Sequence, residues 1–455
     1  MCNQKYQKVD HLCNRLILPN CPSYNRDRQI YNHSIQKYPT GIVYCKSATD
    51  VAQAINFANQ HQLTVRVRSG GHNYTGSCIG NNVLVIDTSH LKSKKISKIS
   101  NTVRIGSGVN NKELYAFLGK YGYPFPSGTC PTVGAVGLTQ GGGWGHSARM
   151  FGLACDSLLE VEIVDANGQL LVVNETCHPD LFWAIRGGGG GNFGVVISLC
   201  YRLPPKLFRV TYVDIRYSQV KESEAHCFFE TWQKWLKQED ERFTPNSRIF
   251  NSAQEGMGIY LRGFYYGTPD EAQASLQPFL AVADAEATFE AVTFLEATKI
   301  DASFYPSSEQ FRFAGRFAYG NFTSNQIENI LQLVKNRAKG GTFASVALYA
   351  LGGKVRDIAS HKTAFFYRNA GYIIGIETIW EHPAAKQENI NWIFKRSQYL
   401  QSITAGSYIN FPYLPTDHYM KAYYGCNAFR LMHVKKRYDP NNLFCFEQGI
   451  PPSCC

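Results

Sequence analysis

Two side chains able to form a covalent bond to a ligand stand in glycine-rich runs. His72 lies in Arg66-Val-Arg-Ser-Gly-Gly-His-Asn-Tyr74, and Cys130 in Pro126-Ser-Gly-Thr-Cys-Pro-Thr-Val-Gly134. Imidazole and thiolate are both nucleophiles, although a lone His or Cys more often serves packing than chemistry. The neighbours shift that balance. Ser69, Gly70, Gly71 and Asn73 beside His72, and Thr132, Val133, Gly134 and Gly137 beside Cys130, are small enough for a flat, phosphate-bearing ligand to lie against bare backbone. The second run continues into Gln140-Gly-Gly-Gly-Trp-Gly145, which contains Gly142 and Gly143.

Competing chemistries lack their anchors. No G-x-x-x-x-G-K-[ST] loop is present, nor a G-x-S-x-G elbow, nor H-E-x-x-H. Gly189-x-Gly191-x-x-Gly194 matches a dinucleotide fingerprint, but it follows an expected helix rather than a strand, so a close-packed turn explains it as well. The 14 cysteines contain no C-x-x-C pair, and no metal site is expected. What remains is chemistry done by an organic cofactor that the protein orients.

The elements that must hold these loops follow from periodicity. Ile42–Tyr44, Leu63–Val67, Val83–Ile86 and Val103–Ile105 read as strands, with a helix after Ser47 and another over Asn110–Tyr121. Leu159–Val164 and Gln169–Val173 form a hairpin across Asp165-Ala-Asn-Gly168, and Asp180–Ile185 is a short helix. Composition turns from glycine-rich to aromatic-rich at Leu203-Pro-Pro205. Beyond it, strands Val210–Tyr217, Ile259–Tyr266 and Gly371–Trp380 alternate with helices Glu224–Lys237 and Gln326–Arg337, which predicts a sheet backed by helices on one side. The expected division is residues 1–205, 206–420 and a segment 421–455 returning to the first part.

At 455 residues with 44% hydrophobic and 18% charged, the chain is an ordinary globular protein too long for one core. Its net charge of +11 is scattered, which speaks against nucleic acid and is compatible with an anionic ligand. The first thirty residues hold no apolar stretch of signal-peptide length, and no run approaches a membrane span. A cytoplasmic monomer or homodimer with reduced thiols is expected, the Cys454-Cys455 pair having no assigned role.

Several runs together resemble the berberine bridge enzyme-like family of FAD-linked oxidases, of the PCMH-type (vanillyl-alcohol oxidase) fold. They are Arg68-Ser-Gly-Gly-His72, Gly128-Thr-Cys-Pro-Thr-Val-Gly134, Gly141-Gly-Gly-Trp-Gly145, Phe151-Gly-Leu-Ala-Cys-Asp156, Arg186-Gly-Gly-Gly-Gly-Gly-Asn-Phe-Gly194, Tyr408-Ile-Asn-Phe411 and Asp439-Pro-Asn-Asn-Leu-Phe444. The resemblance implies an α+β fold: a two-part FAD-binding domain plus a substrate domain with an antiparallel sheet backed by helices. It also implies FAD bound covalently through His72 and Cys130, with Arg68, Gly194, Val196 and Asn410 among the cofactor-binding residues.

The implied reaction passes hydride from a hydroxyl-bearing small molecule, a secondary-metabolite alcohol or a sugar, to the flavin and then to O2, giving H2O2. A dehydrogenase using another acceptor, an oligosaccharide oxidase acting at a hemiacetal and a non-catalytic binder are the alternatives. Tyr408 is the implied base, Tyr74 lines the site, and Val133 stands where valine goes with oxygen access. Trp144 and Phe411 depart from the tyrosines, or histidine, common in relatives. Gly375 stands where Gln or Glu is frequent, and two-residue alternation puts Glu377 on the same side. Tyr367 is a weaker candidate, and Trp232, Trp235, Tyr265 and Tyr266 are available for stacking on a substrate.

Overall fold

The computed structural model describes residues 15–238 and 240–453, so the Cys454-Cys455 pair lies outside the described residues. Local chemistry sets the first elements. The Ser47 hydroxyl accepts the Asp50 N–H and starts the helix Ala48–Gln60, whose Val51, Ala54, Ile55 and Ala58 are buried. Asn110 and Glu113 form a capping box for Asn111–Gly119. The carboxylate of Asp165 accepts the N–H groups of Asn167 and Gln169, and Gly168 takes a φ of +77°, which closes the hairpin between Leu158–Val164 and Leu170–Asn174.

Three sheets result. Val65–Arg68 and Gly41–Tyr44 flank Leu84–Asp87 in parallel within a four-stranded sheet. Five antiparallel strands, with Val195–Arg202 at the centre, form the second. Eight antiparallel strands form the third, in the spatial order Glu286–Thr293, Arg209–Ser218, Gly256–Tyr265, Asn246–Ser252, Gly341–Ala350, Tyr372–Trp380, Phe311–Ala318, Ala405–Ser407. The α+β class with an antiparallel, helix-backed sheet is therefore present.

Among the described residues eight strands escape the periodicity reading: Leu16–Ile17, Lys94–Ser97, Val195–Arg202, Asn246–Ser252, Glu286–Thr293, Phe311–Ala318, Gly341–Ala350 and Ala405–Ser407. Asn246–Ser252 and Glu286–Thr293 are too polar to announce themselves. Phe311–Ala318 contains a glycine, and Gly341–Ala350 is built from small residues that fit between two neighbours.

The two faces of the large sheet differ. Ile374 and Ile376 point to the helix side, packing with Trp232, Trp235, Tyr265, Ile249 and Ile330 in one core. Phe313, Phe317, Ala347, Tyr349 and Ile373 point the other way, against Trp144, Leu153 and Tyr408 from outside the sheet. This corrects the stacking expectation. Trp232 and Trp235 lie on the sheet-facing stripe of the helix Glu222–Trp235 and are inaccessible, while Tyr266 is buried with its hydroxyl 2.6 Å from Ser147 Oγ. Tyr367 is likewise spent on structure: it stacks on Phe317 at 4.4 Å and donates its hydroxyl to Lys421 O and Ala422 O.

The late segment packs on the first sheet. Leu443 and Phe444 join Val43, Val65 and Val164 in a core, and Val65 N–H donates to Leu443 O at 2.9 Å. Lys435, fully buried, donates to Asp439 Oδ2 at 2.5 Å, to Phe444 O and to Asn192 O, so one ammonium ties this segment to the loop Gly187–Gly191 and its neighbour Asn192.

Candidate functional site

The loop after Val65–Arg68 is anchored from below. Arg68 is 5% exposed; its guanidinium pairs with Asp87 and donates to Asp27 O at 2.7 Å. It therefore braces the loop, and it lines a second cavity that shares Ser69, Gly70, Gly71 and His72 with the one above. At Gly70 an added Cβ would stand 2.4 Å from Gly134 N, so the two glycine runs touch backbone to backbone. Above them opens a cavity of about 1220 Å³. Ser69, Gly70, Gly71, His72, Asn73 and Tyr74 line one side, Val133, Gly134, Gly137, Gly194 and Val196 another, and Asn410 and Phe411 a third.

His72 and Cys130 meet at one hydroxyl. Thr132 Oγ1 lies 2.7 Å from His72 Nε2 and 3.7 Å from Cys130 Sγ. The Tyr31 ring stacks on the imidazole, with centroids 4.1 Å apart and planes at 24°. Burial holds the His72 pKa down at about 4, so the ring is neutral at pH 7 with a free lone pair. Burial raises the Cys130 thiol, opposed by the Thr132 hydroxyl and the N–H groups of Thr132 and Val133. The turn itself is tied down: Asn111 Nδ2 donates to Cys130 O, and Tyr305 OH donates to Thr129 Oγ1 at 2.7 Å.

Side chains of the large sheet stand behind the cavity residues Tyr74 and Phe411. Tyr74 stacks on Phe411 (5.3 Å, 8°) and meets Phe311 edge-on at 4.8 Å. A Cβ at Gly375 would fall 2.1 Å from Phe313 Cζ, so that ring fills the space a longer side chain would take. Glu377, one alternation further, accepts hydrogen bonds from Arg248 Nε at 3.2 Å and Ser345 Oγ at 3.0 Å. Arg248 also donates to Tyr349 OH at 2.6 Å. Burial, with Tyr349 and Glu377 adding to it, holds the Tyr74 phenol well above its ordinary range. Burial, reinforced by the Glu377 charge, pushes Glu309 up to about 8.

Tyr408 is placed differently from the cavity residues. It is 1% exposed, and its oxygen accepts the N–H groups of Gly143 and Trp144, each at 3.1 Å, and Asn410 Nδ2 at 3.0 Å. Burial pushes its pKa up to about 12 despite those bonds. A phenol so engaged positions the Gly142-Gly143 turn, whose φ values of +114° and +89° require glycine, and it does not line the cavity. Trp144 donates its indole N–H to Ala350 O and sits edge-on to Tyr349 at 4.8 Å. The cavity-facing phenol is Tyr74.

Arg248, Ser345, Tyr349, Glu309 and Tyr31 were not singled out by motif reading. They come from four segments, Ser345 and Tyr349 sharing one strand, and only sheet register brings Ser345 opposite Glu377 and Arg248 opposite Ala347. An arginine between Ser247 and Ile249, inside a central strand, is the one local sign of a buried charge with work to do.

The residues present fit FAD. Among the described residues, the N–H groups of Gly70, Gly71 and His72 have no acceptor, and all three residues border the cavity. Consecutive free N–H groups in a concave turn suit phosphate oxygens. The chain matches two family models, one described as FAD binding domain over residues 39–174 and one as Berberine and berberine like over residues 407–451. It is 33% identical over 451 residues to the uncharacterized FAD-linked oxidoreductase YgaK of Bacillus subtilis, covering 97% of each chain. It is 28% identical to a carbohydrate oxidase of Microdochium nivale, covering 96% of this chain and 92% of the relative. Its fold superposes on Physcomitrella patens BBE-like 1 with a TM-score of 0.88 at 26% identity, over 97% of both chains. With full-length similarity joined to a cavity built for this cofactor, the chain belongs to the berberine bridge enzyme-like family of FAD-linked oxidoreductases.

Proposed function

We propose that the chain is an oxidase carrying FAD bound through both His72 and Cys130 and oxidising a hydroxyl-bearing small molecule, with O2 as acceptor and H2O2 as product. One observation carries the reading: both nucleophiles reach the same Thr132 hydroxyl at the edge of the cavity. When bound, the flavin accepts hydride from substrate and passes the electrons to O2. In this reading residues 1–205 and 421–455 hold the cofactor, and 206–420 the substrate.

The chain's own residues supply the rest. Free N–H groups at Gly70 to His72 hold phosphate, and Arg68 fixes their loop. Tyr74 and Phe411 offer parallel rings, which exclude water and orient a flat face. Glu377, paired with Arg248 at 3.2 Å, receives the substrate hydroxyl proton; Tyr74, a phenol near neutrality, donates a hydrogen bond. Donors and acceptors at Arg248, Ser345, Glu377 and Glu309 beside those rings favour a polyol, with oxidation at a sugar hemiacetal ahead of a secondary-metabolite alcohol.

The test is an aerobic screen of sugars and alcohols for H2O2, run beside peptide mass spectrometry of acid-precipitated protein. A yellow pellet, adducts on the His72 and Cys130 peptides and peroxide from a sugar are expected. Colourless pellets would remove the covalent linkage, and reduced flavin that persists in air until a dye is added would make the protein a dehydrogenase.

A further inference from the structure

Thr132 sits where two nucleophiles need one partner. Its hydroxyl is held by a turn in which Val133 N–H returns to Cys130 O at 3.4 Å, and the turn is fixed from outside by Asn111 N–H to Val133 O and Lys112 N–H to Pro131 O, both at 3.0 Å. Oγ1 is 2.7 Å from His72 Nε2, and the Tyr31 ring at 4.1 Å covers one face of the imidazole. Nδ1 has no partner among the described residues. Sγ of Cys130 lies 3.7 Å from the same oxygen.

A hydroxyl carries one hydrogen, so the two contacts are not independent. If Thr132 donates to Nε2, the neutral ring keeps its hydrogen on Nδ1 and offers no lone pair to the cavity. If Nε2–H donates to Thr132, the hydroxyl hydrogen turns to sulfur and Nδ1 presents its lone pair. Only the second arrangement readies both groups, and its order is His72 Nε2–H to Thr132 Oγ1–H to Cys130 Sγ.

We propose that Thr132 is a positioning residue for cofactor attachment: its hydroxyl selects the His72 tautomer with Nδ1 free and steadies the Cys130 sulfur as it loses its proton. This role rests on the covalent reading above. The bond at Nδ1 forms as the flavin methyl carbon loses one proton and Nε2 releases another. The bond at Sγ forms as the thiol and the flavin ring each lose one. Each bond leaves two electrons on the flavin, and O2 removes them as H2O2.

The experiment follows attachment rather than turnover. Full-length protein from riboflavin-starved cells is incubated with FAD in air, and adducts on the two peptides are quantified by mass spectrometry over time for wild type, Thr132→Val, Thr132→Ala and Thr132→Ser. Attachment at His72 should slow about tenfold in Thr132→Val and Thr132→Ala, the size of one lost neutral hydrogen bond. Thr132→Ser should stay near wild type, and all four should share one unfolding midpoint. Nitrogen-15 spectra of histidine-labelled apoprotein should show His72 protonated at Nε2 in wild type and as mixed tautomers in Thr132→Val. Wild-type attachment rates in Thr132→Val, or a wild-type ring protonated at Nδ1, would overturn the role of Thr132 alone. A wild type with no adduct on either peptide would instead remove the covalent reading and this role with it.

Discussion

On the side of the first two sheets the cavity is lined by backbone. Gly70, Gly71, Gly134, Gly137 and Gly191 contribute almost no side chain, and a brace of buried ion pairs lies beneath them. Behind Tyr74 and Phe411, on the other side, the support is made of side chains: Phe313, Ser345, Tyr349, Glu377 and Arg248 converge from four strands of the large sheet. A backbone wall recognises what all ligands of one cofactor class share and tolerates no added atoms. A cluster of side chains can be rewritten residue by residue, so under the proposed function it is the part that would set the substrate.

That contrast can be broken most forcefully from underneath. Lys435→Met leaves the fully buried Asp439 carboxylate without its partner, and a loss of about 3–5 kcal/mol of stability is expected, read from the denaturant midpoint of the apoprotein. Gly70→Ala drives a methyl group onto Gly134 N, so FAD content measured by absorbance should drop about tenfold, since overpacking of this kind costs roughly 1–3 kcal/mol.

On the other side the signs reverse. Arg248→Met should leave flavin content intact while lowering kcat/KM by about thirtyfold or more, because truncating one member of a buried charge pair costs roughly 2 kcal/mol or above. Equal loss of flavin would show that the two sides are not separable. The smallest effect belongs to Glu309. Its pKa is raised from 4.5 to about 8, so the native state holds a proton that the unfolded chain has lost, and stability falls as pH rises through that window. Glu309→Gln should flatten that decline in unfolding midpoints measured from pH 5 to about 8, and an unchanged slope would assign it to another group.

The same contrast decides what could be read from the chain. Backbone contact demands glycine at fixed places, so the loops around His72 and Cys130 were legible as a ligand cradle, and Ser47 and Asp165 announced their cap and turn. On the sheet side only Glu377 was legible, by alternation along its strand; Arg248 and Ser345 were not, because they become its neighbours only through register with strands that short polar or small-residue sequences conceal. Tyr408 shows the limit of a motif: Tyr408-Ile-Asn-Phe411 marks the right place, but the phenol is turned to the amides of Gly143 and Trp144 while Asn410 and Phe411 face the cavity. Trp232 and Trp235 show the limit of composition, since aromatic enrichment reports burial as readily as binding.

The buried ammonium of Lys435 has a consequence in time. It closes on Asn192 across 243 residues of sequence, and its partner Asp439 also accepts the N–H groups of Leu443 and Phe444. A ribosome must therefore have made the whole large sheet and most of the late segment before the Gly187–Gly191 loop is locked. The lock on that loop is thus a property of the finished chain rather than of a growing one.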